Sequence, residues 1–284
     1  MAQSVYLVSP NFSDLLTPNI EIGSFPDGDS HITIPQIGEV AGQSVYLFHR
    51  LYPKQNTALV VLFFMLERLK AAGAKEVAVV SPYIPYARQD KQKLPGELLA
   101  AKSLCRQLLA AGADKLVTFD CHFLNEVGEV EYEGLKIQNL SVGPLLVEHA
   151  RQYFGGEDFE VIGPDDGSNY LVSRHGGKAF KKVRKEYQGK VAYRDVHEVS
   201  GDVDVVGKNV LILDDMISSG STMIKSLEKL QAGGAKKIAC AAVHGLFLFD
   251  CLDKMRQFTD AIFCSDSIPG PLAEVSIKDQ LLNL

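Results

Sequence analysis

The most chemically suggestive run in this 284-residue chain is NVLILDDMISSGSTM, Asn209 to Met223. An apolar, strand-like stretch delivers two adjacent carboxylates, Asp214 and Asp215, and a series of small residues then opens a helix. Small side chains let consecutive backbone N–H groups converge on a phosphate, and a helix N-terminus favours an anion. Ser218, Ser219, Ser221 and Thr222 add hydroxyl donors around Gly220. At the carboxyl end of a parallel strand, the two aspartates would accept hydrogen bonds from sugar hydroxyls. The same residues also fit a strand end followed by an N-capped helix, because Asp and Ser are common caps.

Other apolar runs also end in polar chemistry. SPYIPYARQDKQK, residues 81–93, carries Arg88 and Lys91 with Tyr83 and Tyr86 interleaved. Its cationic groups suit phosphate oxygens, and equally a solvated basic turn. FDCH, 119–122, brings Asp120 and His122 to a strand end, and GPDDG, 163–167, does the same for Asp165 and Asp166. A Mg²⁺ ion held by His122 and Asp165 is consistent with a cation that takes one or two carboxylates and uses substrate phosphates for much of its shell. Either motif alone also serves as a cap or turn. KKVRK, 181–185, reads by itself as a solvated face. There is no Walker A loop: Gly176-Gly177-Lys178 is followed by Ala179, and Val172 stands where the first glycine belongs.

These segments need a scaffold, and a recurring phrase supplies one. LERLKAAGAKEVAVV (66–80), CRQLLAAGADKLVTF (105–119) and LEKLQAGGAKKIACAAV (227–243) each place leucines at helical spacing, then a glycine, then an apolar β-type run. Gly73, Gly112 and Gly234 stand where a helix C-terminus calls for positive φ. Because the strands are continuous apolar runs, helices should cover both sheet faces in a doubly wound α/β arrangement. The third copy follows the second by more than a hundred residues, which favours two similar α/β halves with a boundary near 142–146. Residues 181–207 are charged and only briefly periodic, suiting a flap or an edge hairpin.

Composition narrows the class. Hydrophobic residues make up 46% and charged residues 23%, ample for a buried core. The longest apolar run, Ala58 to Leu66, falls well short of the roughly 20 residues of a membrane span, and the N-terminus lacks a signal-peptide pattern. A cytoplasmic protein without a membrane partner is expected. The net charge of −6 weighs against nucleic acid. Five cysteines without a C-x-x-C pair read as reduced packing residues.

In this order, the segments resemble the ribose-phosphate diphosphokinase family over nearly the whole chain. PYARQDK, Pro85 to Lys91, looks like the family's ATP-phosphate segment, with Arg88 and Gln89 on nucleotide-contacting positions. DDMISSGST, 214–222, looks like its ribose-phosphate loop, which type I phosphoribosyltransferases share. His122 and Asp165 fall on the family's metal positions, with His122 also beside ATP. Lys182 and Arg184 match the Lys-x-Arg pair of its catalytic flap, which replaces the solvated-face reading of that run. SFPDGD, 24–29, resembles the segment that enters a neighbouring subunit's ATP site, with Phe25 against adenine and Asp27 and Asp29 beside it. HGLF, 244–247, fits the C-terminal half.

The resemblance implies two phosphoribosyltransferase-type α/β domains, 1–144 and 145–284, each with a mainly parallel sheet flanked by helices. It also implies Mg²⁺, ATP and ribose 5-phosphate as ligands, and a homo-oligomer. Ser218, Ser219 and Asp29 depart from the commoner members, which carry an acidic residue, Thr and Glu there; allosteric control is not carried over. Two rivals stand beside this reading. A type I phosphoribosyltransferase would release pyrophosphate in a base-dependent reaction without ATP, and a non-catalytic regulatory homologue would bind without turnover.

Overall fold

A computed structural model describes residues 4–92, 94–183, 198–200 and 204–284, with backbone alone at 182–183 and 198–200. The chain divides into two compact units, Met1–Leu140 and Ser141–Leu284.

In the N-terminal unit the strands are β1 (Val5–Val8), β2 (Glu21–Ser24), β3 (Ser30–Thr33), β4 (Ser44–Phe48), β5 (Glu76–Val80), β6 (Lys115–Phe119), β7 (Gly128–Tyr132) and β8 (Leu135–Leu140). Helix α1 (Gln55–Ala71) joins β4 to β5, and α2 (Ala100–Ala111) joins β5 to β6. The sheet runs β1-β4-β5-β6-β8-β7, parallel except for the β7–β8 hairpin, while β2 and β3 form a separate antiparallel ribbon. Each step from β4 to β6 moves one place in the same direction. Right-handed crossovers therefore put α1 and α2 on one face. There Leu62, Met65, Leu66 and Leu69 of α1 and Leu104 and Leu108 of α2 bury against Leu7, Leu47, Val77 and Val79. Each such side chain contributes about 1.5–3 kcal/mol relative to exposure. On the opposite face Phe12, from the turn after β1, packs edge-on to Phe48 at 5.8 Å.

The glycines after the repeated helices behave as their positions demand. Gly112 has φ of 109° and closes α2 by donating its N–H to the carbonyls of Leu108 and Leu109. A Cβ there would lie 2.6 Å from Lys70, so neither conformation nor space admits a larger residue.

At the outer edge of β1, one side chain takes the place of a neighbouring strand. Asn19 accepts from the Val8 N–H at 2.7 Å and donates to the Tyr6 carbonyl at 2.9 Å.

The C-terminal unit opens with α3 (Gly143–Tyr153) and β9 (Phe159–Gly163), followed by a short helix α4 (Asn169–Val172). It continues through β10 (Lys178–Ala179), β11 (Lys181–Val183), β12 (Glu198–Ser200), β13 (Asn209–Ile217), α5 (Ser221–Ala232), β14 (Lys237–Gly245), α6 (Cys251–Met255), β15 (Ile262–Ser265) and β16 (Ala273–Val275). Its main sheet, β10-β9-β13-β14-β15-β16, is parallel throughout. Met223, Leu227 and Leu230 of α5 pack with Val210, Ile212 and Ile262. His149 of α3 lies 4.5 Å from Phe263, which alternates with Ile262 and so belongs to the other face. This sheet is covered by helices on both sides. β11 and β12 pair antiparallel with Lys182 opposite Val199.

Candidate active site

The carboxyl ends of the parallel strands carry the predicted residues. In the C-terminal unit, β13 carries Asp214 and Asp215 in its carboxyl half and closes with Met216 and Ile217, and the chain then turns through Ser218 and Ser219 into α5. Gly220, with φ of 74°, is the N-cap and provides no side-chain cap to the first turn. Ser219 and Ser221 place their hydroxyls 3.3 Å apart. This open, small-residue helix start is suited to several phosphate oxygens.

The turn is braced by residues distant in sequence. Leu246 and Phe247 donate their N–H groups to the Ile217 carbonyl at 2.9 and 3.1 Å, and Leu248 donates to Ser218 at 2.9 Å. The buried Cys251 lies against Gly220, where an added Cβ would meet its Cβ at 2.7 Å. Drawing carbonyls of the turn towards 246–248 fixes its orientation relative to β14.

Asp214 accepts the N–H of Asp215 at 3.0 Å. Burial pushes its carboxyl well above the usual carboxylate range, and the charges of Asp215 and Asp165 push it further in the same direction. Asp165 therefore shares the electrostatic neighbourhood of the pair. It caps the turn after β9, accepting from Gly167 N–H at 2.8 Å, while the Ser168 hydroxyl donates to its carbonyl at 2.7 Å. Gly163, just before it, has no room for a side chain: a Cβ would fall 2.2 Å from Ser168 Oγ.

In the N-terminal unit, residues 81–85 and Ala87 are buried, whereas Tyr86, Arg88 and Gln89 are exposed. Tyr86 has φ of 62° and its hydroxyl donates to Asn56 at the start of α1. Gln89 closes a turn by donating its N–H to the Tyr86 carbonyl at 2.9 Å, and Ala101 of α2 donates to the Gln89 carbonyl at 3.3 Å. Arg88 is thus presented to solvent from an anchored segment. The turn after β6 is pinned by Asn139, which accepts from Cys121 N–H at 3.0 Å and donates to the Glu126 carbonyl at 2.7 Å. Asp120, with φ of 37°, is buried in that turn, and His122 is half-buried.

Phe25 is half exposed at the tip between β2 and β3, edge-on to His31 at 5.2 Å. Phe25 donates its N–H to the Asp29 carbonyl at 2.8 Å, and Asp27 accepts from the Asp29 N–H at 3.1 Å, giving the tip a defined turn. The backbone of Lys182 lies on β11; Arg184 falls outside the described residues. Among the described residues no three His, Cys, Asp or Glu side chains converge with metal-binding geometry. Sequence reasoning missed Asn139 and Cys251, because an isolated Asn or Cys gives no signal until the fold brings it beside a loop.

Residues 11–112 match the N-terminal domain of ribose phosphate pyrophosphokinase, and residues 140–257 match the phosphoribosyl transferase domain. A ribose-phosphate pyrophosphokinase from Methanopyrus kandleri is 31% identical over 263 residues, covering 91% of this chain and 87% of the relative. One from Thermococcus kodakarensis is 30% identical, covering 93% and 91%. The crystal structure of phosphoribosylpyrophosphate synthetase from Mycobacterium smegmatis shares the fold at a TM-score of 0.78 and 21% identity, over 99% of this chain and 97% of that one.

Proposed function

The chain belongs to the ribose-phosphate pyrophosphokinase family, and from that premise we propose that it transfers the β,γ-diphosphate of ATP to the C1 hydroxyl of ribose 5-phosphate, giving phosphoribosyl diphosphate and AMP. The observation that carries the reading is the presence in one chain of two mainly parallel sheets, one bearing PYARQDK and the other DDMISSGST at its carboxyl edge. A phosphoribosyltransferase needs the second and has no use for the first.

In this reading the C1 oxygen forms a bond to the β-phosphorus, the bond from that phosphorus to the α-phosphate bridging oxygen breaks, and the hydroxyl proton is released. Such transfers depend mainly on positioning and charge neutralisation. Arg88 and Gln89 contact the ATP phosphates, with His122 beside them. Asp214 and Asp215 accept hydrogen bonds from the ribose hydroxyls, and Ser218, Ser219, Gly220, Ser221 and Thr222 hold the 5-phosphate. Lys182 and Arg184 supply positive charge to the transferring group and the departing oxygen. Phe25, Asp27 and Asp29 serve the adenine of a neighbouring subunit in a homo-oligomer.

Asp165 offers the hard oxygen that Mg²⁺ takes, and the raised carboxyl of Asp214 beside Asp215 and Asp165 marks an excess of negative charge that a divalent cation would relieve. His122, a nitrogen donor that suits Mg²⁺ less well, is the second metal position that the family resemblance assigns. With no cluster of three protein ligands among the described residues, most of the coordination sphere would come from triphosphate oxygens and water. When bound, the ion neutralises phosphate charge. No helix among the described residues is long and apolar enough to cross a membrane.

Phosphorus NMR of the protein with ATP, Mg²⁺ and ribose 5-phosphate, with controls lacking each, tests the function. Equal amounts of AMP and phosphoribosyl diphosphate, dependent on all three, are expected. Binding of either substrate without turnover would instead establish the regulatory-homologue reading.

A further inference from the structure

Beyond the residues already placed, the loop after β14 has a conformation that its own packing does not repay. Phe247 and Phe249 have φ of 45° and 60°, a left-handed region that bulky side chains occupy at a cost. For Phe247 a compensation is visible. Its ring packs over Gly245, where a Cβ would come within 2.5 Å, and joins the apolar cluster beneath α5. Phe249 has no such burial: at 83% it is the most exposed large apolar side chain among the described residues. The strain and the exposure coincide on one residue, immediately after Leu248 donates its N–H to Ser218 at 2.9 Å. This loop is therefore tied directly to the turn assigned to ribose phosphate, at the carboxyl edge of adjacent parallel strands where ligands bind.

We infer that Phe249 is a substrate-facing residue of the ribose-phosphate site, its ring covering the apolar C–H face of the bound pentose phosphate. The inference rests on the proposed function for the identity of that ligand. A pentose phosphate offers hydroxyls and a charged phosphate to Asp214, Asp215 and the 218–222 turn, and leaves a carbon face for which none of those polar groups is a partner. A ring carried on the loop that is bonded to the turn would supply one and exclude water from the sugar. The left-handed backbone at 249 is then the cost of presenting the ring there, following the tendency of local strain to gather at ligand clamps.

Two variants separate ring from backbone. Phe249→Gly removes the ring and accepts the positive φ; Phe249→Ala removes the ring and keeps the strain. AMP formation is measured with each substrate varied in turn, together with calorimetric binding of ribose 5-phosphate alone, thermal unfolding and sedimentation. The expected result is a roughly tenfold loss of ribose 5-phosphate affinity and a matching rise in its KM in both variants, the loss of one apolar contact. The KM for ATP should stay within about twofold, and Tm should rise by about 2 °C in the glycine variant alone. Unchanged ribose 5-phosphate binding, equal loss for both substrates, or no stabilisation by glycine overturns the inference. So does a change of oligomeric state in both variants, which would assign the ring to a subunit contact. If the wild-type protein binds ribose 5-phosphate without turnover, the proposed function fails while the binding comparison still decides the role of Phe249; if it does not bind, both fall.

Discussion

Gly220→Ala should damage the phosphate turn in a way that can be divided into two parts. The backbone at 220 has φ of 74°, and a left-handed alanine costs about 1–2 kcal/mol. The added methyl would also stand 2.7 Å from Cys251 Cβ, well inside van der Waals contact. Overpacking of this kind costs about 1–3 kcal/mol. The sum, about 2–5 kcal/mol, corresponds to a Tm lower by roughly 5–15 °C. Thermal unfolding of the wild type, Gly220→Ala, Cys251→Gly and the double variant forms a cycle that isolates the contact. Cys251→Gly removes the opposing Cβ, so the double variant should recover about 1–3 kcal/mol relative to additivity, leaving only the backbone part. Cys251→Ala keeps that Cβ and should recover none of it. Ribose 5-phosphate affinity should fall with Gly220→Ala, since N–H groups after 220 move with the turn. A Gly220→Ala protein melting within about 1 °C of wild type, or a Gly220→Ala effect of the same size in the Cys251→Gly background, would refute the close-packing argument.

Three further outcomes follow from the site and the core. Lys182→Ala should lower kcat by orders of magnitude with a modest change in KM, because its contact is assigned mainly to the transition state; steady-state kinetics showing a large KM effect with intact kcat would remove that role. Asp214→Asn should weaken ribose 5-phosphate by roughly 2- to 10-fold, the worth of one hydrogen bond, while sparing ATP in direct binding measurements. His49 is buried, its Nε2–H donating to the Ala58 carbonyl at 3.1 Å and its Nδ1 accepting from Ser9 Oγ at 2.9 Å, and burial lowers its pKa to about 4. A depressed histidine leaves stability intact above about pH 6.5 and removes it as pH falls to about 4, by about 3 kcal/mol in all. Urea unfolding across this window should show a slope for the wild type that His49→Gln lacks.

The repeated helix–glycine–strand phrase made both sheets legible, because leucine spacing, a left-handed glycine and an apolar run are all local. Gly73, Gly112 and Gly234 have φ of 85°, 109° and 80°, as the phrase demands. Which face each helix takes was not legible: it follows from strand order, and α1 and α2 share a face because β4, β5 and β6 are consecutive neighbours. Asp214 to Thr222 and Arg88 were visible through residue type and position at strand ends. Their supports were not. Asn139 reaches back to Cys121, and Cys251 lies under Gly220, across stretches of chain whose separation only the fold closes. The left-handed Tyr86, Phe247 and Phe249 contradict local preference, so no reading of propensities could have placed them.

The amide of Asn19 has a consequence for how copies of this chain can meet. By occupying both the Val8 N–H and the Tyr6 carbonyl on the outer side of β1, it ends the ladder with a side chain where another strand would otherwise dock. The opposite margin is β7, where Glu131 is exposed and the exposed Glu129 is held by Lys115 at 3.0 Å. Charged side chains along an edge strand discourage pairing with another strand. The N-terminal sheet is thereby insulated against growing from one molecule into the next, and any symmetric assembly is left to side-chain surfaces, which can form and close at a finite number of subunits without seeding a fibre.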